Sequence, residues 1–328
     1  MFDYSFIIRT LGTAGEKYQK LLNSIDQLSL KPREVIVVLP EGYKPPIERL
    51  GYERFVYTPK GMIAQRAFCL DEIKTKYALF SDDDWTFEPS LVKELAKPIQ
   101  EGRADVTFPI FTDFLPKGLW TKLVMCLTGS STPMLFSKNR YTKINYSGAY
   151  SYNPYIKQTT KGEFSAETAP GLCFLISKHH MIKLHFEDEL WLQDCDYAWP
   201  DDQVMFYKLH LQGKKIIGVG GLDFIHLDAG GNSAGRSVKA NYAIARNKEI
   251  FWHRFIFSIK CNSWERCRAL FAHKWQLARS NMFGLIKMMI FNNNIELRQA
   301  AHDGKRDAKL YLKSDKYHSL PSICCNDE

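Results

Sequence analysis

Three consecutive carboxylates, Asp82, Asp83 and Asp84, directly follow the apolar run Tyr77-Ala78-Leu79-Phe80. Such a run predicts a buried strand, and acids at its carboxyl end stand where open α/β sheets hold their ligands. Like charges this close repel one another. A divalent cation accompanied by a phosphate is a natural counter-charge for them. The spacing Asp82-x-Asp84 lets one carboxylate reach a nucleotide while the other reaches a metal bridging a diphosphate. The competing reading is a solvated acidic turn.

The elements around the acids must place them. Tyr4 to Arg9 reads as a strand, and Thr13-Ala14-Gly15-Glu16 has the form of a capping box opening a helix. Tyr18, Leu21, Leu22, Ile25 and Leu28 follow the helical period, and Lys31-Pro32 ends it before the apolar strand Val35 to Leu39. Pro40-Glu41-Gly42 is a turn. A strand over Arg54 to Thr58 leads through Pro59-Lys60-Gly61 into a helix expected at Met62 to Lys74, and then to the strand that ends in acids. Strand-helix-strand repetition predicts a mainly parallel sheet with helices on both faces. The absence of GxGxxG and GxxxxGK[ST] leaves dinucleotide oxidoreduction and P-loop phosphoryl transfer without support.

With 328 residues, 45% of them hydrophobic and 24% charged, the chain has length for one large domain with an appendage. Eight cysteines without CxxC spacing, Cys324 and Cys325 in the tail, suggest reduced cytosolic thiols. Met1 to Phe6 lacks the pattern of a signal peptide, and no apolar stretch reaches the roughly 20 residues of a membrane span. Charge is divided unevenly. Residues 1–235 carry 27 Lys and Arg against 28 Asp and Glu, whereas 236–318 carry 17 against 6. Aromatics such as Phe251, Trp252, Trp264, Phe271 and Trp275 are interleaved with that excess. A basic, aromatic, helical segment suits an anionic lipid surface better than nucleic acid, for which no motif is present.

Four pieces in register, Tyr4 to Thr10, Lys31 to Val38, Gly61 to Arg66 and Ala78 to Asp84, resemble glycosyltransferase family 2. Asp82-x-Asp84 is similar to that family's DxD motif. Gly171 to Ser177 resembles its acceptor-side strand, Asp201 to Lys208 its ED-containing helix start with Asp201 in place of Glu, and Phe224-Ile225-His226-Leu227 the place of a late histidine. Ala245-Arg246-Asn247-Lys248 is similar to a motif that follows. The resemblance covers roughly residues 4 to 256. It implies a GT-A fold, a Rossmann-like α/β sheet flanked by helices, here with a helical C-terminal extension. It implies a nucleoside-diphosphate sugar as donor and Mn²⁺ or Mg²⁺ held by Asp84, Asp82 and His226. Arg9, Thr10, Glu41, Lys60, Arg66, Asp82 and Asp83 would form the nucleotide side, with Gly171 on the acceptor side. Asp202 becomes the general base, with Asp201 as its neighbour and fallback.

Each position also has a plainer reading. Asp202 opens an amphipathic stretch through Val204, Met205 and Leu209 closed by Gly213, which makes it a candidate N-cap. His226 in its apolar setting suits a core histidine. Trp85 and Trp199 adjoin the acid clusters and have flat faces suited to an acceptor sugar, or to core. Asp228 to Gly235 reads as a lid or an ordinary loop. The expected organisation is a catalytic domain over 1–235, its nucleotide-sugar half at about 1–110 and its acceptor half at about 111–235, followed by a basic helical segment over 236–328. The expected function is inverting transfer of a sugar to a saccharide or lipid-linked acceptor in bacterial surface polysaccharide assembly, on the cytoplasmic, inner face of the membrane. A sugar-1-phosphate nucleotidyltransferase and a catalytically silent carbohydrate-binding scaffold are the rivals; Arg9-Thr10-Leu11-Gly12 is a poor version of the former's Gly-rich loop.

Overall fold

The computed structural model describes residues 2–227, 237–291 and 295–323. The expected loop over 228–235 and Cys324-Cys325 fall outside them. β1 (Tyr4–Arg9), α1 (Glu16–Asp26), β2 (Glu34–Pro40), β3 (Arg54–Thr58), α2 (Met62–Ala67) and β4 (Tyr77–Ser81) follow the alternation read from the sequence. The four strands lie in the order β3-β2-β1-β4 and pair in parallel. Alternate side chains divide between two layers. Ile7, Ile36 and Val38 join one core, and Phe6, Ile8, Val35 and Val37 join the other with Leu21, Leu22 and Ile25 of α1. Ile8 lies opposite Ser81, so Arg9, Thr10 and the three acids leave the sheet along one edge.

Two local expectations are corrected. No capping box forms: α1 begins at Glu16 after Gly15, whose φ of 57° and lack of side chain leave no side-chain cap. Glu16 instead pairs with Lys20 at 2.8 Å. The helix expected over 62–74 stops at Ala67, because a tighter turn at Leu70–Glu72 puts Cys69, Leu70 and Ile73 into the core ahead of β4.

Past β4 come β5 (Trp85–Phe87), α3 (Leu91–Gln100), β6 (Val106–Pro109), α4 (Leu119–Thr128), β7 (Ser131–Pro133), β8 (Arg140–Ile144), β9 (Tyr150–Tyr152), β10 (Gly162–Ala166) and β11 (Cys173–Ser177). Then follow α5 (Lys178–Leu184), α6 (Asp201–Leu211), β12 (Ile216–Gly220), β13 (Phe224–His226), α7 (Val238–Trp252), α8 (Ser263–Phe291), α9 (Ile295–Tyr311) and α10 (Asp315–His318). The eleven-stranded sheet continues from β4 as β11-β6-β12-β10-β8-β9-β7. β11 runs antiparallel to β4, with Cys173 opposite Ser81, so its amino end meets the acidic end of β4. β5 pairs separately with β13, which sets His226 opposite Trp85. The arrangement is the mixed, mainly parallel α/β architecture that the GT-A expectation implies.

The carboxyl-terminal helices do not stand apart. Ile250, Phe251, Phe255, Ala308 and Tyr311 belong to the same hydrophobic core as β4 and α6. Arg254, buried, gives two hydrogen bonds to the fully buried Glu189, which also accepts from Lys208 Nζ at 2.9 Å. Among the described residues no helix is long and apolar enough to cross a membrane.

Candidate active site

The two acidic clusters, more than a hundred residues apart in sequence, meet at the carboxyl edge of β1 and β4. Arg9, at the end of β1, donates from Nη2 to Asp82 Oδ1 at 2.5 Å, and its Nη1 lies 3.9 Å from Asp201 Oδ2. Arg66, from the last turn of α2, is 2% exposed and donates to Asp201 Oδ2 at 2.9 Å, Asp202 Oδ1 at 2.6 Å and the Gly171 carbonyl at 3.1 Å. The antiparallel entry of β11 supplies the last contact, since Asp82 N–H donates to Leu172 O and Gly171 N–H donates to Asp202 Oδ2 at 2.8 Å. A Cβ at Gly171 would come within 2.0 Å of Asp202 Oδ1, so the close approach of that carboxylate requires glycine. Gly171 thus holds the Asp202 carboxylate in place.

Asp202 is not an N-cap. α6 begins at Asp201 behind Pro200, which offers no side-chain cap, and the two Asp202 oxygens each accept one hydrogen bond from outside the helix, from Arg66 and from the Gly171 N–H, with a lone pair left on each. The two neighbours differ in access: the Asp202 side chain is 34% exposed and Asp201 only 6%. Burial, then the charge of Asp202, pushes the Asp201 carboxyl above its usual range against the opposing pull of Arg66 and Arg9. Burial likewise raises Asp82, despite Arg9 and Arg66. Asp83 is pushed up to about 6 by burial and by its acidic neighbours, although it accepts a hydrogen bond from the Thr10 hydroxyl.

Two cavities adjoin this cluster. One, of about 660 Å³, is lined by Arg9, Thr10, Lys17, Gln65 and all three acids of the 82–84 run. The other, of about 140 Å³, is lined by Asp201, Asp202, Gln203, Trp199, Tyr150 and Phe114. The expected Glu41 and Lys60 line neither cavity and are exposed, Lys60 lying over the Tyr43 ring at 5.3 Å. Arg66 is not a solvated phosphate contact, because its guanidinium is consumed by the two aspartates. Trp85 is not an acceptor platform: it is fully buried against Phe87 and Phe224 and donates its indole N–H to Ser81. Trp199, by contrast, lines the cavity, with Lys248 Nζ 4.7 Å from its ring centroid.

His226 Nε2 stands 3.3 Å from Asp84 Oδ2, brought there by the β13–β5 pairing and by the Leu227 N–H bond to Asp84 O. Burial lowers the His226 pKa, but its hydrogen bond to Asp84 and that residue's charge outweigh burial and raise it overall. Its Nδ1 is buried without a hydrogen-bond partner. Asp82 turns to Arg9 instead, and among the described residues no three His, Cys, Asp or Glu side chains converge as a ready ligand set. A cation that keeps waters and substrate phosphates as most of its ligands needs only one or two protein groups; Asp84 offers the carboxylate oxygen that such a cation takes, and the His226 imidazole beside it suits Mn²⁺ better than Mg²⁺.

Several contributors were not legible from residue types. Gln65 is buried and donates to the carbonyls of Thr10 and Val38, fixing the turn after β1. Phe114 and Gln203 line the smaller cavity. Arg246 and Asn247 in α7 hold the segment that leads into α6: Arg246 Nη1 donates to Trp191 O, and Asn247 Nδ2 faces the carbonyls of Leu192, Tyr197 and Trp199 at 2.8–3.2 Å. The resemblance at 245–248 pointed to these positions without their purpose.

Residues 51–159, about a third of the chain, match the family model of Glycosyl transferase family 2. No curated protein sequence matches the chain. A solved structure described as "Crystal structure of GalNAc-T7 with UDP, GalNAc and Mn2+" is similar to it with 12% identity and a TM-score of 0.48, over 85% of this chain and 55% of that one. The chain therefore spans about half the length of that protein.

Proposed function

We propose that the chain, whose residues 51–159 match the family 2 glycosyltransferase model, is a glycosyltransferase that moves a sugar, with inversion, from a nucleoside diphosphate to a saccharide or lipid-linked acceptor. The observation that carries this reading is the meeting of the 82–84 and 201–202 carboxylates around Arg9 and Arg66, with a cavity on each side. The larger cavity has the size and polar lining for a nucleotide diphosphate. The smaller one, with Trp199 and Tyr150 beside Asp202, suits an acceptor hydroxyl over an aromatic face.

Asp84 and His226 would hold a divalent cation, Mn²⁺ or Mg²⁺. When bound it would supply Lewis-acid stabilisation of charge on the departing diphosphate. Asp202 is the accessible carboxylate and accepts the acceptor proton, a contribution of about 10²- to 10⁴-fold in rate. Arg66 and the Gly171 N–H fix the direction of its two oxygens. Arg9 joins the donor and acceptor sides by bridging Asp82 towards Asp201. Thr10 orients Asp83 at the cavity wall. Residues 1–235 would carry the catalysis and the basic segment beyond them would favour a peripheral position on the inner face of a bacterial membrane, in surface polysaccharide assembly.

Incubating the protein with a panel of nucleotide sugars and Mn²⁺ or Mg²⁺ tests the reading. Release of nucleoside diphosphate on addition of acceptor supports it. Pyrophosphate-dependent exchange would instead assign a nucleotidyltransferase, and silence with every donor a binding protein. Asp84→Ala is expected to abolish metal-dependent donor binding measured by calorimetry.

A further inference from the structure

The apolar side chains of α8 point the wrong way for a helix that merely packs on a domain. Among the described side chains of α8, Ala269 and His273 are buried, while Trp264, Phe271, Trp275 and Met282 lie along the opposite face. Phe271, 72% exposed, and Trp275, 55% exposed, rim an open groove of about 530 Å³ whose far wall includes Lys143, Glu167 and His210. An ordinary surface helix turns its apolar stripe inward. α4 packs against α8 and is itself uncovered, with Leu119 83% and Trp120 78% exposed. Phe136, just past β7, is wholly exposed. Large apolar side chains gathered on neighbouring elements exceed the scatter expected of a soluble surface.

Charge identifies the occupant. Residues 119–138 contain no acid, and α8 holds only Glu265 against Arg266, Arg268, Lys274 and Arg279 among its residues up to 286. A second copy of the chain would set these cations against their own kind. An anionic bilayer accepts both the apolar stripe and the flanking charges, each cation near such a surface adding favourable attraction.

Behind this face lies a cavity of about 710 Å³, walled by Val124 and Met125 of α4 and Leu277 and Ser280 of α8. It also shares Phe114, Tyr150, Trp199 and Gln203 with the smaller cavity at Asp202. The cavity between α4 and α8 and the pocket beside Asp202 therefore share a wall. Resting on the glycosyltransferase reading above, we propose that the α4–α8 face seats in the surface of an anionic bilayer and that the cavity behind it admits the head of a lipid-linked acceptor to Asp202. The docking surface is thus built from α4 together with α8, rather than from the basic tail as a whole; α7 is committed to the core.

Co-sedimentation with vesicles of phosphatidylcholine, with and without phosphatidylglycerol, tests the docking. The full chain is expected to bind the anionic vesicles at low salt and to leave them as salt rises. A triple variant, Trp120→Glu, Phe271→Glu and Trp275→Glu, should bind them about a hundredfold more weakly, since each change replaces buried apolar area by a charge repelled by the lipid. Its melting temperature and its donor binding should match the parent's, since all three side chains are exposed and none lines the donor cavity. Failure of the parent to bind, equal binding by the variant, or a concentration-dependent dimer of the parent that the variant abolishes would each overturn the proposal. A chain that binds vesicles but releases no nucleotide from any donor would sink the catalytic reading and leave the docking surface standing.

Discussion

Two buried ion clusters draw on the two ends of α6, Asp201 and Asp202 in its first turn and Lys208 in its last, and they are built to opposite purposes. In one, Glu189 is fully buried and shared by Lys208, Arg254 and the Trp191 indole. Burial alone would raise its pKa, but the two cations prevail and lower it. In the other, Asp82, Asp201 and Asp202 share Arg9 and Arg66, and acids outnumber cations. There burial and mutual repulsion win, so Asp82 and Asp201 are both raised. The first cluster is closed and, with Asp188 Oδ2 3.4 Å from Lys208 Nζ, balanced in charge. The second opens into two cavities and holds a charge imbalance that a cation or a proton would relieve, which is how perturbed carboxylates mark sites of chemistry.

The sharpest test of that contrast is to remove one carboxylate from each cluster. Asp202→Asn should lower transfer by about 10²- to 10⁴-fold, read as kcat with the donor KM nearly unchanged. Transfer at the parental rate, with Asp201→Asn inactive instead, would move the base one residue upstream. Glu189→Gln should leave kcat largely intact but cost about 3–5 kcal/mol of stability in chemical denaturation, because it strands two buried cations. A small loss there would mean that the cluster is not the structural anchor its burial implies.

The pH dependence separates them further. A lowered folded pKa means that Glu189 contributes stability above the ordinary carboxylate range and loses it as pH falls through its folded value. Denaturation midpoints of the parent should therefore drop below about pH 4, the usual glutamate range, and Glu189→Gln should flatten that drop. The smallest effect is expected at Trp85. Replacing it by Phe removes the bond to Ser81 and leaves a small void in the core, together about 2 kcal/mol, with no change in acceptor KM. A raised KM would restore Trp85 to the acceptor side.

Much of the nucleotide-sugar half was legible in the sequence because its signals are local. Continuous apolar runs mark strands buried on both faces, as in β2, where Val35 to Leu39 are all buried. The acids at 82–84 needed only the strand before them to be placed on the sheet edge. Trp85 was misread because a tryptophan beside an acid looks alike whether it faces a sugar or a core. The pairing of β5 with β13 decides between them. Arg66 was misread for a related reason: a basic residue ending a short helix is usually solvated, and its partners come from 135 and 136 residues away.

By itself the sequence determined the alternation of strands and helices, the position of the acids and the basic character of the C-terminal third, all set by neighbours within a few turns of chain. Tertiary structure alone decided that β11 enters antiparallel and presents Gly171 to Asp202, that Arg9 and Arg66 bind the two acid clusters into one, and that α8 turns its aromatics outward. Those outcomes depend on which distant segments share space, and burial and charge pairing are properties of that shared space rather than of any stretch of chain.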